Sequence, residues 1–223
     1  MARTAGSNAE DTRRNLREAA LRLFSNSGYA AVSMRMIAKE VDLQAGALYH
    51  HFPTKQALLV DLMESHMHAL LLAWEKESKN FTDPVSALEG FIRFHIRFHF
   101  DKQDEVFISY MELRNLEEDG LAQMQKLRRY YEGFLRKIIS IGKDSGDFTV
   151  QDVPVSAMAI ISMLTGVNAW FKNNGRLTAS QVEEIYVAMA LNALSAGDKR
   201  NSGGLSQRLE SNANASREPV LQS

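Results

Sequence analysis

The chain has 223 residues, 45% hydrophobic and 24% charged, with 13 Gly, 4 Pro, no Cys and a formal net charge of −1. That length holds one large domain or two small ones, with a core that needs no staples. The missing cysteines exclude disulfides, thiolate zinc sites, iron–sulfur clusters and cysteine nucleophiles, and with no N-terminal apolar h-region and no run of about 18 apolar residues, a soluble cytoplasmic protein without a membrane partner is expected.

Apolar residues recur at helical spacing, and strand-like alternation is missing. The expected fold class is all-α, with about nine helices. The first covers 10–27, with Leu16, Ala19, Ala20, Leu23 and Phe24 on one stripe and Gly28 as its stop. Ser33 caps a second over 34–41. A break at Asp42-Leu43 precedes a third over 44–50. Thr54 starts a fourth over 54–79, and Asp83-Pro84 is a cap-plus-proline start for the fifth. The sixth is placed at 104–116, the seventh at 119–145, the eighth from Asp152 to 172 and the ninth at 179–195, capped by Thr178. Beyond Gly197 the chain is polar, Ser/Asn-rich and aperiodic, which predicts disorder over 198–223.

Charge divides the chain. Residues 1–60 carry 8 Lys+Arg against 5 Asp+Glu, whereas residues 61–199 carry 15 against 20. A small basic head on an acidic body suggests that the head meets a polyanion.

Residues 33–55 read SMRMIAKEVDLQAGALYHHFPTK. Two short helices separated by about three residues, with Ile37, Ala38, Val41, Leu43 and Leu48 inward, have the form of a helix-turn-helix. The second helix presents Gln44, Ala45, Gly46 and Ala47 at its start. Small residues allow close approach to base edges, and Gln can pair bidentately with adenine. Tyr49, His50 and Lys55 follow on the exit side, where they can donate to phosphates. His51 and Phe52 are expected inward and His50 outward. Tyr49 as a packing residue and Arg35 as an ordinary solvated charge remain open alternatives.

These residues resemble the DNA-binding head of the TetR (tetracycline-repressor-like) family. The resemblance runs from Leu16 to about Leu59. It rests on Ala20-x-x-Leu23-Phe24-x-x-x-Gly28-Tyr29, then Ser33, Ile37-Ala38, and Leu48-Tyr49-x-His51-Phe52-x-x-Lys55-x-x-Leu58. Two positions depart from the family pattern: Asp42 stands where the turn has Gly, and Gln44 where the recognition helix has Ser or Thr. The resemblance implies a DNA-binding domain over 1–55 and a ligand-binding and dimerisation domain over 56–197. It implies Ser33, Tyr49 and Lys55 as phosphate contacts, with Arg35, Gln44, Ala45, Gly46 and His50 toward the groove. The partners it implies are a palindromic double-stranded operator, a small-molecule effector and a second copy of the chain.

The body offers candidates for an effector pocket. Phe94, His95 and Phe98 lie in the dense run SALEGFIRFHIRFHFDK. His95 and His99 are spaced i,i+4, which can hold a metal. No Cys and no acidic motif completes a ligand set, so they are read as pocket lining or core, with no metal and no cofactor. The runs ELRNL and LRRYYEGFLRKII, with the Trp-Phe pair at 170–171, resemble the body of a TetR branch that senses acyl-CoA thioesters. That resemblance adds Tyr110, Arg114, Tyr130 and Trp170 to the pocket set. Arg114 paired with Glu112 or Glu118, and the aromatics as plain core, is the competing reading. The eighth and ninth helices are apolar on more than one face, which suits one face on the body and the other on a partner chain. The motifs HExxH, GxSxG, the Walker loop and GxGxxG are missing. The expected function is a ligand-responsive transcriptional regulator, not an enzyme. The alternatives are a helical adaptor without DNA binding and an all-helical enzyme acting on a thioester.

Overall fold

Local capping chemistry sets where most helices begin. In the computed structural model, which describes residues 5–172 and 174–195, Ser33, Thr54, Asp83 and Asp152 each accept a hydrogen bond from the backbone N–H three residues on. Thr178 and Gln181 bond reciprocally in a capping box. The helices are α1 (Ala5–Ser27), α2 (Met34–Glu40), α3 (Ala45–His51), α4 (Lys55–Glu77), α5 (Pro84–Phe100), α6 (Gln103–Met111), α7 (Glu118–Ser145), α8 (Val153–Trp170) and α9 (Ala179–Ser195). Single 3-10 turns lie at Ser78–Asn80 and Leu113–Asn115, and the described residues contain no strand. The tail expected to be disordered, 198–223, lies outside the described residues.

Three expectations are corrected. α1 begins before its apolar stripe, at Ala5. The helix expected over 104–116 stops at Met111, because Glu112 leaves the helical backbone and the chain tightens into the 3-10 turn. α8 reaches 18 residues with a hydropathy that would suffice to cross a membrane by length and composition alone. Its Ser156, Ser162, Thr165 and Asn168 interrupt a strictly apolar count, and it packs against α5, α7 and α9. Asp42 takes the left-handed conformation (φ 55°) that the turn between α2 and α3 requires, a conformation Asp tolerates better than most residues.

In the head, α1 contributes Leu16, Ala19, Ala20 and Phe24, α2 Ile37 and Ala38, and α3 Leu48, all buried. α4 belongs to both parts. Its Leu58 and Leu59 close the head, and its Trp74 lies 4.9 Å, ring to ring, from Phe91 of α5. One apolar cluster therefore runs continuously from head to body. In the body α7 packs on α4, α5 and α8, and α9 lies on α5. Three ion pairs tie α5 to α9: Arg93 with Glu184 at 2.6 Å and with the buried Glu183 at 4.0 Å, and Arg97 with Glu183 at 2.6 Å. α1 packs along α6, so the head rests on the body at a second place besides α4.

Candidate nucleic-acid interface and ligand cavity

The α2–turn–α3 unit buries Ile37, Ala38 and Leu48 and leaves one face open. On it Ser33, Arg35, Gln44, Gly46, Tyr49 and His50 are exposed, and Ala45 is half-buried. A Cβ at Gly46 would meet nothing within 4 Å, so the start of α3 is unobstructed. Gln44 stands at the N-cap of α3 but makes no capping bond, which leaves its amide free. Ser33 Oγ is committed to Met36 N at 3.2 Å. Phe52 is buried, His51 half-buried and His50 exposed, the orientation expected from the sequence.

Lys55 is differently placed. It is half-buried, and its Nζ donates to the carbonyls of Tyr29 and Val32 at 2.6 Å each, 4.0 Å from the Tyr29 ring centroid. Burial lowers its pKa. Two of its three N–H groups hold the turn between α1 and α2, which leaves one for a phosphate. Arg13 and Arg17 both reach Asp61 of α4, at 2.5 and 3.1 Å, and Arg14 pairs with Asp11.

The turn that Lys55 grips is also held from the body. Glu112, 6% exposed, accepts the backbone N–H of Tyr29 at 3.0 Å and the side-chain amide of Asn115. Gln56 adds a second tie, its amide donating to the Asn115 carbonyl at 2.6 Å. Glu112 therefore does not pair with Arg114, which is exposed.

A cavity of about 550 Å³ opens between α4, α5, α6, α7 and α8. Its apolar wall includes Met67, Leu70, Met158 and Ile161, and its polar wall His66, His99, Ser109, Tyr110, Arg128 and Thr165. The volume suits a drug-sized body. Arg128 donates to the Ser109 carbonyl at 2.5 Å and lies 4.6 Å from the Tyr110 ring centroid. It has no carboxylate partner within ion-pair distance among the described residues. The Tyr110 and Thr165 hydroxyls are 3.2 Å apart, between this cavity and a neighbouring one of about 460 Å³.

Of the pocket residues expected from the sequence, Tyr110 lines this cavity and the others do not. Phe94 packs against Trp74 and Phe98, and Phe98 against His66. His95 is fully buried one layer back, its Nδ1 3.1 Å from the Tyr131 hydroxyl. Arg114 sits in the 3-10 turn at the head–body seam. Tyr130 faces outward near Glu75, and Trp170 stacks on Tyr186. Facing into a gap depends on how helices cross, which single-helix spacing does not encode. A signal for the missed residues did exist. Arg128, Tyr131 and Glu132 fall at i, i+3, i+4 on α7, as Met158, Ile161 and Ser162 do on α8, so each set shares a face.

The buried histidines His66, His95 and His99 are held in the neutral form by their surroundings. Burial, aided by the neighbouring His99, Lys102 and Arg128, pushes His66 down to about 3. Burial likewise pushes His99 down to about 4 and His95 well below its ordinary range. The His95 and His99 rings stack at 4.0 Å, and His99 Nδ1 lies 2.7 Å from the His95 carbonyl. No group of three His, Cys, Asp or Glu side chains is arranged to hold a metal among the described residues.

Comparison with known proteins agrees with this arrangement. Residues 16–62 match the family described as bacterial regulatory proteins, tetR family, and residues 82–194 the tetracyclin repressor-like C-terminal domain. The chain is 26% identical over 207 residues to the HTH-type transcriptional repressor KstR2 of Mycolicibacterium smegmatis, covering 89% of this chain and 99% of that protein. The TetR-family regulator PfmR from Thermus thermophilus is 31% identical, with a TM-score of 0.71 over 84% of this chain and 100% of that one. AibR, solved with isovaleryl coenzyme A and operator DNA, is 28% identical, with a TM-score of 0.74 over 79% of this chain and 96% of that one. The chain belongs to the TetR family of bacterial regulatory proteins, and with its DNA-reading head and ligand-responsive body it is a transcriptional regulator rather than an enzyme.

Proposed function

We propose that this protein is a cytoplasmic repressor that holds a palindromic operator as a homodimer and releases it when an acyl-CoA-type effector enters the cavity between α4 and α8. One observation carries the reading. α6 supplies Ser109 and Tyr110 to the cavity and, at Glu112 just past its end, the carboxylate that grips the head at Tyr29. An effector that moves α6 moves this grip, and it shifts the equilibrium only by its differential affinity for the two positions.

The thioester class is favoured by the likeness to AibR and by Arg128, which offers a guanidinium to a carbonyl or anion. Past His66 a second cavity of about 570 Å³ follows α1, with Arg13, Arg14, Arg17 and Lys102 in its wall, interleaved with Glu10, Glu18 and Glu105. Those cations lie within reach of an effector that carries phosphates. On the head, the operator contacts are Ser33, Arg35, Gln44, Ala45, Gly46, Tyr49, His50 and the remaining N–H of Lys55. The dimer forms through the exposed apolar residues of α8 and α9, Val155, Met158, Ile185 and Met189 among them.

The test is a titration of the purified chain against DNA from upstream of its own coding region. It is run at two salt concentrations, with and without a panel of acyl-CoAs. Tight, salt-dependent binding that one thioester abolishes is the expected result. Tight binding indifferent to every thioester would leave the repressor and discard the effector class. If no specific site emerges there or from a random DNA library, the reading fails.

A further inference from the structure

The cavity between α4 and α8 has a neighbour, and one side chain stands between the two. The neighbouring cavity, about 460 Å³, lies between α6 and the C-terminal half of α8 and reaches Ser25 near the end of α1. Val106, Phe107, Met111, Ala169 and Phe171 give it a mainly apolar wall. Phe107 and Met111 are 40% and 55% exposed, large apolar side chains left open to water. Tyr110, Thr165 and Gly166 belong to the walls of both cavities. The Tyr110 and Thr165 hydroxyls, 3.2 Å apart, bridge the crevice between α6 and α8. Arg128 lies 4.6 Å from the Tyr110 ring centroid and is itself anchored to the Ser109 carbonyl. At Gly166 α8 presents no side chain, and a Cβ there would meet nothing within 4 Å, which leaves the crevice open beside the hydroxyl pair. Tyr110 is 36% exposed and Thr165 half-buried, so a ligand or water can reach both.

We infer that Tyr110 is a movable partition that sets how long an effector this protein accepts, and that the cavity between α6 and α8 takes the apolar end of a chain too long for the first cavity. The inference rests on the effector-binding reading above and extends it to a second compartment. Swinging the phenol aside breaks one hydrogen bond between partly exposed hydroxyls, and water can take its place at both. A chain that passes then covers Phe107 and Met111, and each methylene buried there tightens binding about fourfold. A chain that stops short of Tyr110 gains nothing from the second cavity. Length is therefore read at one residue.

The test is calorimetric, on the full chain. It uses straight-chain acyl-CoAs from butanoyl to palmitoyl and, in parallel, the thioester-free alkanols from hexanol to dodecanol. For the parent, affinity should climb about fourfold per carbon and then break where the chain meets Tyr110. Tyr110→Ala should leave shorter chains within about twofold, and should bind chains two methylenes past the break about tenfold more tightly than the parent does. Ala169→Phe fills the second cavity, and added to Tyr110→Ala it should restore the parent's break, a reversal that a merely loosened fold does not give. Circular dichroism and sedimentation check the fold and assembly of each variant. A break moved in the alkanol series with no thioester bound would uphold the inference and discard the acyl-CoA class. A parent without a break, a break that Tyr110→Ala leaves in place, or a gain spread equally over all lengths would overturn it. Binding of neither series, by parent and variants alike, would overturn it together with the effector reading.

Discussion

The buried carboxylate of Glu112, at the end of α6, accepts the backbone N–H of Tyr29, in the turn that leads into the DNA-reading helices, at 3.0 Å. This is a direct bond between body and head, and it begins three residues after Ser109 in the cavity wall. Glu112→Gln keeps an acceptor oxygen for Tyr29 and should behave nearly as the parent does. Glu112→Ala removes it and leaves a half-buried N–H unpaired, at a cost of about 1–3 kcal/mol. Its melting temperature should fall by roughly 2–4 °C for each kcal/mol lost. Effector affinity should stay within about twofold, while effector no longer releases DNA. Unchanged release in Glu112→Ala, by fluorescence anisotropy with and without effector, would show that the coupling runs elsewhere.

On the head, three substitutions should separate by kind. Tyr49 is 49% exposed and supports nothing in the core, so Tyr49→Ala should weaken every duplex alike at an unchanged melting temperature. Gln44 has a free amide, and Gln44→Ala should change base preference, by about 1–3 kcal/mol at the position it reads. Equal loss on all sequences would refute base reading by Gln44. Lys55→Met should lower both DNA affinity and the melting temperature, because Lys55 also ties the carbonyls of Tyr29 and Val32.

Acid should unfold the body through its histidines. His66 and His99 are pushed down to about 3 and about 4 in the fold, from near 6.5 unfolded. Between those values the unfolded chain binds protons that the folded chain refuses, so stability is complete above about pH 6.5 and falls as pH drops toward 4. At pH 5 each group gives up roughly 2 kcal/mol. Denaturant melts at pH 7, 6 and 5 should show this slope, and it should flatten in His99→Gln. A parent stability that stays level from pH 7 to 5 would contradict neutral burial of these rings.

The exposed faces of α8 and α9 make a prediction about assembly. Ile185 and Met189 are a turn apart, and both are nearly half exposed. Ile185→Glu with Met189→Glu should convert dimer to monomer in sedimentation while the melt of each chain stays cooperative. Affinity for a full palindrome should collapse toward that for one half-site, since the second head no longer binds as an intramolecular event. A variant that still sediments as a dimer would place the interface on another face.

The sequence by itself determined what local chemistry decides. Caps at Ser33, Thr54, Asp83 and Asp152 and stops at Gly28 and Gly146 need only residues within a few positions of one another. The inward set Ile37, Ala38 and Leu48 needs only the helical period, so the helix order and the head were legible, and with them the family. The tertiary structure alone decided which side chains meet across helices. Tyr110 lies in the cavity wall, Phe94, Tyr130 and Trp170 lie outside it, and His66, Ser109 and Arg128 line it. Lys55 and Glu112 met at Tyr29 only because α1 lies along α6. Helical periodicity places a residue on a face of its own helix; the crossing of helices, set by the packing of the whole core, decides what that face meets.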